Sequence, residues 1–367
     1  MSHLCCTYQA SGSRPAFKFL LPAVSKTLSP FAVRLVQWQR QYGRHDLPWQ
    51  NTRDPYRVWL SEIMLQQTQV VTVMGYYQRF LQAFPDVQTL AAASLDQVLG
   101  LWSGLGYYSR ARHLHACAKQ VVDEFAGVFP RHSAQLQTLK GIGPSTAAAI
   151  ASLCFEQRVA ILDGNVKRVL TRHQGFALDL SSSANEKKLW ELAKQCLPAT
   201  GLDMPSYTQG IMDLGATLCT RAAPSCQRCP VHADCVAFAN GNPTNYPVKT
   251  RKIKRSAESL WLLCATTLQG DVWLRQRPPT GVWAGLYTQP IFEAEERVLS
   301  TLPQKWRHLL NVQTAFTHVL THKDLHIHAC HLALPKRRRR AHLCRRQRYR
   351  SHCPRTTVVG PWYHFHL

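Results

Sequence analysis

Apolar residues recur at intervals of three and four from Leu28 to about Phe238, with few alternating β-branched runs, and this period predicts helices through most of that segment. One helix start is explicit in "RDPYRVWLSEIMLQQTQV". Asp54 is placed to cap and Pro55 to take the first helical position, where a missing N–H costs nothing. Glu62 then falls two turns inside a helix, on a face shared with Val58 and Leu65. Beyond the Pro- and Lys/Arg-rich stretch "NGNPTNYPVKTRKIKRS" the period changes. "SLWLLCATTLQGDVWLRQRP" holds two strand-like runs around Gln-Gly-Asp, a hairpin signal, and "TAFTHVLTHKDLHIHACHLAL" alternates apolar and polar residues. From Lys336, "KRRRRAHLCRRQRYRSHCPR" offers almost nothing to bury. The pattern divides the chain into an extension (1–27), a helical domain (28–239), a basic linker (240–257), an α/β or mostly β domain (258–334) and an Arg/His-rich tail (335–367).

Length agrees with this division, since 367 residues exceed one ordinary core. Charge adds a partner: 44 Lys and Arg against 21 Asp and Glu give a net +23, which favours a polyanion. Ten of these cations lie in the acid-free last 34 residues, so the remainder still carries +13. Thirteen cysteines do not indicate a disulfide scaffold, a device of short secreted chains. "KFLLPAV" is too short to span a membrane and lacks a following small-residue cleavage site. The expectation is a cytoplasmic, nucleoid-associated protein with reduced thiols and no membrane partner.

Two motifs carry candidate chemistry. "CTRAAPSCQRCPVHADC" spaces Cys219, Cys226, Cys229 and Cys235 by six, two and five residues, close enough for four thiolates to share one metal centre. Zinc and an iron–sulfur cluster both remain open. A single Cys-x-x-Cys pair with longer arms, rather than two such knuckles, tilts the choice towards one [4Fe-4S] cluster. In "LKGIGPSTAAAI" a Gly-Ile-Gly turn leads into a helix. No strand precedes it and no third glycine follows, which excludes a dinucleotide fingerprint, and there is no lysine for a phosphate loop. Gly141 and Gly143 in a hairpin between helices permit a tight turn and close approach of backbone N–H groups to an anion. A plain glycine cap between packed helices is the alternative.

Taken together, "LPW", "DPYRVWLSEIMLQQTQV", "LWSGLGYYSRARHLH", "LKGIGPSTAAAI", "ILDGNVKRVLTR" and the cysteine array resemble the helix-hairpin-helix DNA glycosylases. Within them they resemble the adenine DNA glycosylase (MutY) family, over residues 28 to about 333. The resemblance implies a mainly α fold: a two-lobed helix-hairpin-helix domain with a [4Fe-4S] cluster, then a smaller α/β MutT (Nudix)-like domain. Its six-helix lobe would span about 52–160 and its iron–sulfur lobe 28–51 plus 161–239. The implied reaction is hydrolysis of the N-glycosidic bond of adenine mispaired with 8-oxoguanine or guanine in duplex DNA, by a monomer. Adenine leaves poorly as an anion and the sugar becomes oxocarbenium-like, so the chemistry needs an acid and a carboxylate in different environments. Glu62 is the implied acid and Asp163 the carboxylate, with Asn165 positioning water or Asp163. Tyr107 is the implied wedge in the base stack while the target flips out. Gln66 and Gln67 would meet base edges and backbone, and Lys140, Gly141, Gly143, Lys167 and Arg168 phosphate.

"LRQRPPTGVWAGLYTQP" looks like the family's MutT-like domain for recognising 8-oxoguanine. It lacks the acidic metal-binding box of a hydrolytic Nudix enzyme, so no pyrophosphatase activity is expected. Leu320, Thr321 and His322 stand where the family has Phe-Ser-His, keeping a hydroxyl and the histidine and losing the ring. The tail departs from the family, which ends this domain with further strand and helix; an out-of-frame or truncated end, and an incomplete domain, is the expectation. Two rival readings are a bifunctional endonuclease III-like glycosylase/lyase and a non-catalytic DNA-binding protein with a structural metal. The first needs a lysine where Ser145 stands, and Ser145 cannot form an imine.

Overall fold

The structure, a computed structural model, describes residues 30–251, 254–268, 270–334 and 343–345. The extension 1–27 and the tail, apart from residues 343–345, lie outside the described residues. Among the described residues, twelve α-helices form the first part: α1 (Pro30–Tyr42), α2 (Pro55–Leu65), α3 (Val70–Ala83), α4 (Val87–Ala92), α5 (Leu95–Leu101), α6 (Ser109–Phe125), α7 (Ser133–Leu136), α8 (Pro144–Phe155), α9 (Gly164–His173), α10 (Ser183–Gln195), α11 (Met204–Thr217) and α12 (Val236–Ala239). None of the described helices is long and apolar enough to cross a membrane.

These helices bury two cores. Trp59, Tyr77, Phe80, Trp102 and Leu114 centre the first, built from α2 to α6. Burying side chains of this size contributes about 2–3 kcal/mol each. Leu35, Leu162, Leu170, Leu189, Tyr207 and Leu214 centre the second, so the chain passes through this lobe at α1, leaves it and returns. Helix α8 belongs to both: Ala147, Ile150 and Ala151 face the first core, Ala148 and Ala149 the second. The alanine run of the hairpin motif is thus a thin partition on which two cores close. Leu47 and Trp49, which the sequence division assigns to the second lobe, are buried in the first, because the chain crosses over directly after α1 ends.

Among the described residues, the second domain is a seven-stranded mixed sheet with two helices and a separate two-stranded ribbon. Its elements are β1 (Ser256–Thr267), β2 (Asp271–Trp273), β3 (Arg275–Gln276), β4 (Tyr287–Thr288), β5 (Ile291–Phe292), α13 (Glu295–Thr301), α14 (Gln304–Arg307), β6 (Asn311–Val312), β7 (Phe316–Val319), β8 (Lys323–Leu334) and β9 (Leu343–Arg345). β1 and β8 run parallel along their length, with Leu260 opposite Ile327 and Leu263 opposite Cys330. The expected hairpin joins β1 to β2, with Thr266 opposite Val272 and Gly270 at φ +79°. Both faces of the sheet are covered, which is why β1 reads as a nearly unbroken apolar run. Leu263, Cys330 and Leu332 pack with Val298 of α13 on one face, and Leu260, Leu262, Leu325 and Ile327 with Trp283 on the other. Trp283 and the fully buried Leu286 also pack into the first helical core and dock the domains. Within the tail, β9 adds an edge strand antiparallel to β2.

Candidate active site

The two helical lobes face each other across a cleft of about 1090 Å³ lined by Glu62, Ser145, Asp163 and Asn165, with Arg44 and Gln209. Asp54 caps α2 by accepting the Tyr56 N–H at 2.9 Å, with Pro55 next, and this sets the helix register that aims Glu62 inward. Asp163 caps α9 by accepting the Val166 N–H at 2.7 Å. Ser145, in the first turn of α8, accepts the Leu162 N–H at 3.1 Å. Its hydroxyl therefore ties the partition helix to the residue preceding Asp163. Gly215 of α11 lets α9 come close, since a Cβ there would stand 2.7 Å from the Asn165 Cβ.

Burial pushes the Glu62 carboxyl up to about 7, and the nearby Asp163 charge adds to the rise. Burial raises Asp163 as well, but the Val166 and Asn165 backbone N–H groups and the Arg168 and Lys167 charges pull the other way. One carboxyl is therefore held as an acid near neutral pH while the other is supplied with partners for its anion.

Lys167 and Arg168, expected to meet phosphate, are engaged within the chain because α9 packs against α10 and α11. Lys167 Nζ pairs with Glu186 at 2.6 Å. Arg168 donates to Asn165 Oδ1 at 2.8 Å, Gly215 O at 2.6 Å and Cys219 O at 2.7 Å. In the hairpin, Gly141 has φ +78° and a Cβ there would stand 2.6 Å from the His113 Cβ, so glycine is required. Gly143 differs: it caps α8 at φ −84°, and nothing lies within 4 Å of a Cβ built on it. Lys140 is exposed, and its backbone N–H donates to Gln120 Oε1 at 3.0 Å.

Gln66 and Gln67 stand exposed at the cleft mouth, just past the end of α2, with Gln67 at φ +56°. Tyr107 is 42% exposed at φ +47°, and its hydroxyl hydrogen-bonds that of Thr321. Thr321 and His322 lie in the turn between β7 and β8, closed by the Leu320 N–H donating to Lys323 O at 2.8 Å. The wedge candidate and the Leu-Thr-His turn, far apart in sequence, thus meet.

Cys219, Cys226, Cys229 and Cys235 line one small, largely apolar pocket with Val169, Leu214, Val231 and Phe238. Buried Arg172 lies in its wall; its NH1 donates to Cys219 Sγ at 3.3 Å, while its buried Nε lacks a hydrogen-bond partner among the described residues. Four soft sulfur donors beside a buried cation suit a negatively charged thiolate centre. Among the described residues, no three Cys, His, Asp or Glu side chains form a group compact enough for a single metal ion.

Sequence reasoning missed Arg44, Gln209 and Asp213. Fully buried Asp213 accepts from Arg44 Nε at 2.7 Å, the Arg44 backbone N–H at 3.0 Å and Gln209 Nε2 at 3.0 Å, holding two cleft residues from different segments. The one signal in the sequence was an acid inside the apolar pattern of "SYTQGIMDLGAT".

Residues 60–195 match the model of the HhH-GPD superfamily base excision DNA repair proteins, and residues 262–355 match that of the NUDIX domain. The chain is 35% identical over 308 residues to the adenine DNA glycosylase of Buchnera aphidicola subsp. Baizongia pistaciae, covering 83% of this chain and 87% of that protein. It is 36% identical over 361 residues to the adenine DNA glycosylase of Homo sapiens, covering 80% of this chain and 65% of the human protein. Among solved structures, a thermostable thymine-DNA glycosylase matches with a TM-score of 0.51 and 27% identity, over 57% of this chain and 95% of that one.

The raised Glu62 carboxyl has a stability consequence. The folded state holds this proton more tightly than the unfolded chain, so stability is lost as pH rises from the ordinary carboxylate range through about 7. Glu62→Gln is therefore expected to gain about 1–3 kcal/mol over wild type between pH 5 and pH 8. Thermal melts at the two pH values check this, and an unchanged difference between the proteins would contradict the burial of Glu62.

Proposed function

The chain belongs to the adenine DNA glycosylase family of helix-hairpin-helix repair proteins, and we propose that it releases adenine mispaired with 8-oxoguanine or guanine in duplex DNA, leaving the strand uncut. It is a DNA N-glycosylase, a hydrolase of base excision repair. The observation that carries the glycosylase reading is the pair of carboxyls on one cleft, Glu62 pushed up to about 7 so that it can carry a proton near neutral pH, and Asp163 provided with hydrogen bonds and cations.

In the proposed mechanism Tyr107 enters the stack as adenine rotates out into the cleft. Glu62 gives its proton to the base, and the bond between the sugar C1′ and adenine breaks with its electron pair going to the base. The cationic sugar is stabilised by the Asp163 carboxylate, by charge or by transient bonding. Water then supplies oxygen to C1′ and returns a proton to Glu62. Asn165, held by Arg168, positions Asp163 or that water. Gly141, Gly143 and Lys140 take backbone phosphate, with the open face of Gly143 admitting it closely. Gln66 and Gln67 contact the strands at the cleft mouth, and Thr321 and His322 address 8-oxoguanine opposite.

Ser145 supports release without strand cleavage, since it offers no amine, and the cleft is lined by arginines but, among the described residues, by no lysine. Cys219, Cys226, Cys229 and Cys235 would hold a [4Fe-4S] cluster, whose contribution when bound is to staple the end of the second lobe. The enzyme acts as a monomer on nucleoid DNA in the cytoplasm.

The direct test is single-turnover release of adenine opposite 8-oxoguanine, where Glu62→Gln is expected to be slower by about 10²–10⁴-fold. Equal rates would remove Glu62 as the acid. Borohydride should trap no obligatory enzyme–DNA imine during release; trapping as efficient as that of a lyase would defeat the monofunctional reading. Purified protein should be brown from the cluster, whereas colourless, zinc-loaded protein would replace the cluster by zinc.

A further inference from the structure

Arg110, on the first turn of α6, is buried without a carboxylate partner among its hydrogen bonds. Its NH1 lies 3.0, 2.9 and 2.5 Å from the carbonyl oxygens of Ile63, Met64 and Gln66, where α2 ends. Its NH2 donates to Thr68 Oγ1 at 3.1 Å, Leu105 O at 3.2 Å and Gly106 O at 3.4 Å. The guanidinium also stands against the rings of Trp102 and Tyr107, 5.4 and 5.5 Å from their centroids. Burial lowers its pKa only to about 10, so the group stays charged at neutral pH.

The acceptors have a pattern. The C-terminal carbonyls of α2 are the negative end of the helix that carries Glu62, and a cation there is stabilising. Gln66 and Gly106 immediately precede Gln67 and Tyr107, non-glycine residues in the left-handed region, which L side chains adopt at a cost. One planar fork thus holds both strained turns, one beside the acid's helix and one bearing the wedge. A lysine, with one nitrogen on a flexible stem, cannot span the two.

We propose that Arg110 is a positioning residue that locks the wedge Tyr107 to the helix of the acid Glu62, so that opening the base stack and presenting the proton donor occur in one fixed geometry. This rests on the reading of Tyr107 and Glu62 given above.

The test compares wild type with Arg110→Lys, Arg110→Met and the milder Thr68→Ala on duplexes with adenine opposite 8-oxoguanine. Active molecules are counted by burst amplitude, and duplex Kd and the fluorescence rise of 2-aminopurine in place of the target adenine are also measured. Arg110→Lys is expected to slow release per active molecule roughly 10- to 100-fold and to diminish the fluorescence rise, with Kd changed less than about threefold, as fits loss of positioning rather than of phosphate contacts. Thr68→Ala should shift both in the same direction by less, and it decides the matter if neither Arg110 variant folds. Per-molecule rates and fluorescence equal to wild type, whatever happens to the melting temperature or active fraction, would overturn the proposal. A wild type that releases no adenine would instead overturn the reading on which it rests.

Discussion

The shared partition α8 is the constraint on which the rest depends. Two apolar cores must both close on it, and its small side chains let α2 approach from one side and α11 from the other. A larger residue at Ala148 or Ala149 would push the second core away and widen the cleft. The same helix begins at the glycine hairpin and carries Ser145, whose hydroxyl holds the approach to Asp163. Close packing, the hairpin and the placement of the two cleft carboxyls therefore depend on one sequence element.

Closing the lobes creates the electrostatic environment. Glu62 is half-buried in the cleft wall, and the desolvation penalty on its charged form raises its carboxyl to about 7. Asp163 is half-buried and also desolvated, yet backbone N–H groups and the cations of α9 offset part of that penalty. Lys167 and Arg168 contribute here from within the chain. Their ties to Glu186, Gly215 and Cys219 extend this support from Asp163 to the first residue of the cysteine pocket.

The second domain joins the same architecture through apolar docking and polar contacts. Leu286 is buried in the first helical core, Arg112 of α6 donates to Ala284 O at 2.8 Å, and the Thr321 and Tyr107 hydroxyls meet. The N-terminal end of α6 thus reaches the acid's helix through Arg110 and the second domain through Arg112.

Much of this was legible along the chain because local chemistry is sufficient for it. The cap Asp54, the hairpin glycine Gly141, the cysteine spacing, the strand alternation of β8 and the motifs tying the chain to its family are all short-range. Tertiary structure decided what depends on residues distant in sequence. Ser145 is a brace as well as a non-amine, Gly143 is open where Gly141 is confined, and the α9 cations face inward because α10 and α11 cover them. Leu47 and Trp49 crossed to the other core. Arg110 and Asp213 gave little signal because their partners are mainly backbone carbonyls or side chains from remote segments, and periodicity records which face is buried but not what a buried polar group will find there.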